Sequence, residues 1–480
     1  METIRRTMFF FFCTNKFVKN IKYDRIIDEV KNMKSIILAG GKGEKIWPYN
    51  EIRNKAMLPI SNKPILAYTV DAIRKCNDDD VYIVGSSHMD EIRHYFRNYH
   101  HIHIIETNET NGNVETLLSV NIKEDFALFY GDCLIDEVDI ISFLSKEPNT
   151  VLTYKVYDNP HNHILSLYED DHIKNFIAYP RGYEEGYAMA GGYFKADLLE
   201  LLPYNRGRFK NTKVGVGSPS EKILEESLND YLENHILHYY TCENTVFDLD
   251  KPWHILEANA YINTKRCSSL KENKIDESAS VDEALRIDGY LQIGKNSKIG
   301  KNVYIKGNVI IGDNTIIDNG VLIEGNCVIG NNCTIQNHCK VGHLTTIGHD
   351  CIVEHTAEVS GSVIMDKNYL YHHMEFFGIC GERCDLGAGT ICGTLRFDDG
   401  ETIHNVNGRK EVPSNFSNAT FLGDYTRTGV GVIFLPGATV GTNSVVGAGS
   451  IINKKVNSNT LIYPKQELVE KEWSYKKYGW

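Results

Sequence analysis

From Ile287 onward the hydrophobic pattern has a period of six. Ile293, Ile299, Ile305, Ile311, Ile317, Ile323, Ile329, Ile335, Val341, Ile347, Val353, Val359 and Met365 follow one another without a gap, with glycine next at 294, 300, 312, 330, 342 and 348. This is neither the alternation of a half-buried strand nor the spacing of an amphipathic helix. A β-branched residue at one position of a strict hexapeptide predicts a parallel β-helix, in which three sixes close a coil of roughly 18 residues and each coil buries its neighbour. The period breaks after Met365 and returns at Leu386, Leu422, Phe434, Val440, Val446 and Ile452. Such a break predicts a loop extruded from the solenoid, the place where chemistry concentrates.

The first half is patterned differently. Short apolar runs at Ser35–Leu38, Val81–Val84, His103–Ile105, Phe126–Tyr130, Val151–Val156 and Tyr187–Phe194 predict strands, and amphipathic stretches such as Ile65–Lys75, Glu91–Tyr99 and Ser220–Leu232 predict helices. Their alternation implies an α/β domain with a mostly parallel sheet covered on both faces. Ligands of such sheets sit beyond the carboxyl ends of the strands. The expected organisation is an N-terminal extension or mis-assigned start at 1–32, an α/β domain at 33–263, a polar linker at 264–286, a β-helix at 287–464 and a tail at 465–480.

Composition narrows the functions. A formal charge of −12 over 480 residues argues against a nucleic-acid or anionic-membrane surface, so any basic cluster is local. Twelve scattered cysteines make no disulfide scaffold, and the short apolar run Met8–Cys13 lacks a cleavage site, so a cytoplasmic protein is expected.

The basic cluster lies in Leu38–Pro64, LAGGKGEKIWPYNEIRNKAMLPISNKP. Gly40, Gly41 and Gly43 allow a sharp turn whose N–H groups suit phosphates. Lys45, Arg53, Lys55 and Lys63 supply fixed cations, interleaved with Pro48, Pro59 and Pro64. The spacing is that of neither a P-loop nor a Gly-x-Gly-x-x-Gly turn.

Taken in order, these residues resemble the signature of the sugar-1-phosphate nucleotidylyltransferases, Gly-Gly-x-Gly-x-Arg-(apolar)-x-Pro, then Arg-Pro-Lys and Asn-Lys-Pro, with Lys45 in place of the arginine. The resemblance implies a Rossmann-like nucleotidyltransferase domain that joins an NTP, UTP or dTTP, to a sugar 1-phosphate and releases pyrophosphate. Further along it assigns Mg2+ to Asp132 of Gly131-Asp132 and to Asp248 of Phe247-Asp248-Leu249-Asp250-Lys251-Pro252-Trp253. It also places Gly112 near the nucleotide and Gly191 and Gly192 near the sugar, and makes Lys45 and Lys55 the catalytic cations. The Glu-Lys-Pro that the family carries before its sugar motif reads Ala178-Tyr179-Pro180 here.

In the second half, His373-Met374-Glu375-Phe376-Phe377-Gly378, Gly387-Ala388-Gly389-Thr390-Ile391 and Leu395-Arg396 resemble the acetyltransferase half of archaeal-type bifunctional sugar-1-phosphate uridylyltransferase/amino-sugar acetyltransferases. That resemblance implies a left-handed β-helix, a homotrimer, acetyl-CoA as co-substrate and His373 as base, with His372 one register away. Two alternatives stay open: a nucleotidylyltransferase with a purely structural β-helix, and a non-catalytic regulatory protein that binds nucleotide sugars. Cys327, Cys333, Cys339 and Cys351 imitate a metal cluster, but successive sixes lie on different faces. Only Cys333 and Cys351 stack, so small inward-facing residues are expected.

Overall fold

A computed structural model gives the fold and describes residues 30, 32–110, 112–156, 163–180, 182–183, 185–207 and 221–474. Most of the 1–32 segment and Ser220, the expected start of a helix, lie outside the described residues. The chain divides into two compact units. One runs as far as Gly40 and takes in Leu66–Ser86 and Arg93–Val246; the other comprises Gly41–Ile65, Ser87–Ile92 and everything from Phe247 onward.

Among the described residues, the main sheet of the first unit has nine strands: β1 (Lys34–Leu38), β2 (Val81–Gly85), β3 (Ile102–Glu106), β4 (Phe126–Tyr130), β5 (Thr150–Val156), β6 (Ile164–Glu169), β7 (His172–Ala178), β8 (Gly186–Phe194) and β9 (His238–Thr241), ordered β3-β2-β1-β4-β8-β5-β9-β7-β6. Strands β3, β2, β1 and β4 are parallel, and the central β1 is buried on both sides, with Ile36 and Ile37 fully covered, as its unbroken apolar run requires. The rest corrects the expectation of a mostly parallel sheet. Strand β8 runs antiparallel to both β4 and β5, and β6–β7 is a hairpin turned at Asp170, which takes a left-handed conformation. Asp170 and Asp171 alone join β6 to β7, far short of a helical crossover, so that pair is antiparallel. Two helices of this unit matter below, α1 (Asn113–Leu118) and α2 (Leu224–Tyr231).

The second unit carries the predicted solenoid, three parallel sheets of ten, ten and nine strands. Registers run straight along the hexapeptide ladder: Ile293 pairs with Ile311, Ile311 with Ile329, and Ile329 with Ile347, while Ile299, Ile317, Ile335 and Val353 form a second column. These residues constitute one apolar core. The corners are left-handed, and Asn296, Asn314 and Asn332 occupy them with φ of 55°, 52° and 57°, a conformation asparagine tolerates. Their side-chain amides hydrogen-bond from coil to coil at 3.2 Å. Inside, Ser297, Thr315 and Cys333 each donate to the carbonyl fifteen residues on, that of Gly312, Gly330 and Gly348, at 2.7, 2.8 and 2.9 Å. The cysteines are therefore buried small donors.

Two sequence-based boundaries shift. The stretch 264–286 is the end of helix α3 (Pro252–Ser268) followed by the first coil, whose strands begin at Lys274, Ser280 and Arg286. A terminal coil has a neighbour on one side only, so polar residues suffice there and hide the period. Nor does the solenoid open after Met365. Ile352 pairs with Tyr369 and Val363 with Ile379, so these coils are one or two residues shorter and the count of six slips while stacking continues. The true excursion spans 393–419 and includes the hairpin His404–Val406 with Arg409–Glu411.

Candidate active site

In the second unit the signature loop is held by charge and by strict backbone geometry. Gly43 has φ of +58° and opens a single 3-10 turn, Glu44–Ile46, while Gly41 sits at φ +105°, in open space. Both positions demand glycine. A second 3-10 turn, Lys55–Met57, is capped by Asn54, whose carboxamide oxygen accepts from Ala56 N–H at 2.9 Å.

The two lysines expected to handle phosphate converge on one carboxylate. Lys45 Nζ lies 2.8 Å from Asp250 Oδ2, and Lys55 Nζ lies 3.0 Å from Asp250 Oδ1 and 3.8 Å from Asp248 Oδ1. Burial would raise the Asp250 carboxyl, but Lys55 and Lys45 outweigh it and hold it well below the usual range. Asp250 and Asp248 flank buried Leu249 just ahead of α3, whose first residue is a proline that presets the helical φ. His254 Nδ1 is 2.7 Å from the Asp248 carbonyl; burial first, then the nearby Lys251 charge, pushes its imidazole down to about 4, so it stays neutral. Asp250 is the residue that sequence reasoning missed. Its place two residues after a proposed metal carboxylate was the available signal.

The first unit holds the other expected residues. Gly40 follows β1, facing Thr116 at 3.6 Å from where a Cβ would stand, and Thr116 Oγ1 donates to the Gly112 carbonyl at 3.2 Å. Gly40 and Gly112 are thus brought together through one threonine. Gly112 itself has φ +128°, and a Cβ there would meet Lys222 O at 2.2 Å, so chain packing alone requires glycine. Gly191 and Gly192 lie on β8, where a Cβ on Gly191 would strike the Leu128 carbonyl of β4 at 2.3 Å. Asp132, partly buried, follows the end of β4. Close by, Asn113 at the start of α1 donates to Tyr130 Oη at 3.4 Å, and Tyr130 Oη lies 3.5 Å from Glu225 of α2.

On the β-helix, His373 occupies a left-handed corner with φ 55°, and its Nδ1 is 2.5 Å from Thr356 Oγ1. Its neighbour His372 has the more elaborate setting. Nδ1 of His372 lies 2.9 Å from Glu354 Oε2, while Tyr369 Oη donates to Glu354 Oε1 at 2.7 Å. The Tyr369 hydrogen bond, then His372, draws the Glu354 carboxyl down. His355 stacks on His372 with ring centroids 4.9 Å apart. Phe376, part of the expected acetyltransferase motif, is wholly buried in the coil core, whereas Glu375 is exposed.

A glycine turn with convergent lysines beside a carboxylate pair, in a chain that combines an α/β sheet with a hexapeptide solenoid, defines a nucleotidyltransferase carrying a β-helix. The nucleotidyl transferase family model matches residues 34–262, and a model described as the GMPPB C-terminal domain matches 269–365. The bifunctional protein GlmU of Methanocaldococcus jannaschii is 30% identical over 91% of this chain and 99% of its own length. Its counterpart from Methanococcus maripaludis strain C7 is 34% identical over 91% and 98%. A bifunctional sugar-1-phosphate nucleotidylyltransferase/acetyltransferase of Sulfurisphaera tokodaii is 26% identical over 88% and 98%. The chain belongs to this family of GlmU-like proteins, and it is a sugar-1-phosphate nucleotidylyltransferase. Among the described residues, no helix is long and apolar enough to cross a membrane.

Proposed function

We propose that the chain transfers the nucleotidyl group of UTP or dTTP to a sugar 1-phosphate in the cytoplasm, and that its β-helix acetylates an amino sugar from acetyl-CoA as a homotrimer. The first reading is carried by the convergence of Lys45 and Lys55 beside Asp248 and Asp250. Two cations on a glycine-bounded loop suit the β- and γ-phosphates, and the backbone of Gly40, Gly41 and Gly43 suits their oxygens. Lys55, with its side chain 11% exposed, is the better placed to neutralise charge on the reacting α-phosphate as the sugar phosphate oxygen attacks and pyrophosphate departs. Gly112 would face the base, and Gly191 and Gly192 the sugar.

Asp132 and Asp248 are partly buried carboxylates, a hard oxygen donor set that fits magnesium. These two residues would hold Mg2+, which when bound screens phosphate charge. The test is pyrophosphate release with four NTPs and dTTP against a panel of hexose and N-acetylhexosamine 1-phosphates. Release is expected with one or a few pairs, lost on EDTA addition and reduced at least roughly 10²-fold in Asp248→Asn. No release with any pair refutes the substrate assignment.

For acetyl transfer, the imidazole would take the proton of the sugar amine as its nitrogen attacks the thioester and coenzyme A leaves. His373 matches the motif register, while the His372–Glu354 pair has the geometry of an oriented base. Thiol release from acetyl-CoA by His372→Ala and His373→Ala decides between them. Wild-type activity retained in both variants removes both histidines as the base, and no thiol release from the wild type removes the acetyltransferase reading.

A further inference from the structure

The signature loop is bound to the solenoid by a buried ion pair whose acidic partner lies far along the sequence. Arg53, two residues before Lys55, is 6% exposed, and its guanidinium lies 2.5 Å from Oδ1 of Asp424, which is fully buried in the β-helix. The same guanidinium reaches Met365 Sδ at 3.0 Å and Glu382 at 3.5 Å. Asp424 Oδ1 also accepts from Glu382 N–H, but its Oδ2 is buried without a hydrogen-bond partner. A buried carboxylate so placed needs a cation, and Arg53 supplies it.

The surrounding ties fall on the same stretch. Tyr49 Oη, wholly buried, donates to the Ile379 carbonyl at 3.3 Å, and Thr442 Oγ1 donates to the Pro48 carbonyl at 3.2 Å. Ser458 donates to Glu51, and Lys455 sits 3.7 Å over the Trp47 ring. Asn62 donates to the Ile347 carbonyl at 2.7 Å. Apart from Lys455 and Ser458 on the last coil, the anchors on the solenoid side belong to coils paired with a neighbour on each side.

We propose that Asp424 is a positioning residue for nucleotidyl transfer: through Arg53 it fixes the Lys45–Lys55 loop on the β-helix, so that the solenoid serves the first reaction as a rigid floor. Asp424 touches no phosphate itself. Its influence passes through Arg53 to Lys55, and a displacement of about 1 Å at such a cation is enough to cost on the order of 10²-fold in rate.

Asp424→Asn keeps the shape and removes the charge. Steady-state nucleotidyl transfer by the full chain, with the NTP and sugar 1-phosphate pair that wild type uses fastest, is compared with hydrogen exchange of the amides from 49 to 58. The expected result is faster exchange in that stretch, a raised KM for NTP and kcat/KM lower by about 10²-fold. A purely structural pair would lower only apparent kcat, in proportion to the folded fraction, and leave KM alone; that result overturns the proposal. Should Asp424→Asn fail to fold, the double variant Tyr49→Phe/Thr442→Val removes two single hydrogen bonds of the same anchorage. It is expected to raise the KM for NTP several-fold, and an unchanged KM there is equally fatal.

Discussion

Asp250→Asn isolates what the shared carboxylate does to the two lysines. The Lys45–Asp250 pair is half exposed, with side-chain exposures of 47% and 24%, and is worth about 0.2–1 kcal/mol. The Lys55–Asp250 pair, at 11% and 24%, is better covered, and a charge-assisted hydrogen bond of that kind contributes about 1.5–3 kcal/mol before allowance for the exposed part of Asp250. An incoming triphosphate must draw both ammonium groups from this carboxylate and also meets its negative charge. Both effects oppose binding, so their removal has one sign. With roughly 2 kcal/mol released, the Kd for nucleotide falls about 30-fold. The assay is calorimetric titration of UTP and of pyrophosphate into wild type and variant at about 0.15 M salt, with EDTA present so that metal ligation does not contribute. Tighter binding of both ligands supports competition between Asp250 and phosphate. Equal or weaker binding refutes it and makes Asp250 an organiser that holds the lysines where phosphate needs them.

Other outcomes follow from burial and backbone geometry. Ile335→Ala, at a position with no exposure, removes three carbons between stacked coils and costs about 2–5 kcal/mol, read as a lower denaturation midpoint of the β-helix. Gly112→Ala faces both φ +128° and the Lys222 carbonyl; conformational strain alone costs about 1–3 kcal/mol, and a lowered melting temperature with a raised KM for NTP is expected. Burial of Glu225 pushes its carboxyl up to about 7. The fold therefore keeps a proton that the unfolded chain loses, and stability declines as pH rises from about 4.5 to 7, by on the order of 3 kcal/mol. Glu225→Gln should flatten that slope in urea titrations across the same pH range.

Local pattern made much of this protein legible. The β-helix announces itself because each strand needs one inward residue, and three short strands per coil impose a repeat that survives in Ile293 through Met365. The glycine turn is equally local: Gly41 and Gly43 adopt positive φ, which the sequence signals by their identity alone. Where periodicity weakened, the reading failed for definable reasons. The first coil, from Lys274, has only one neighbour to satisfy, and the coils after Met365 are shortened by one or two residues, so neither could be found by counting sixes. The antiparallel β8 was illegible because an apolar run has no direction.

By itself, the sequence determined the two architectures, the glycine turns and clustered cations of Leu38–Pro64 and the inward place of the cysteines, all of which depend on residues near one another in the chain or on a fixed repeat. Tertiary structure decided the partners. Asp250 gathers Lys45 and Lys55 from about two hundred residues away, and Asp424 meets Arg53 across 371 positions. Composition shows that an acidic chain has carboxylates to spare. Which of them a buried cation meets depends on how loop and coils pack, because ion pairing across such distances leaves no period and no spacing to read.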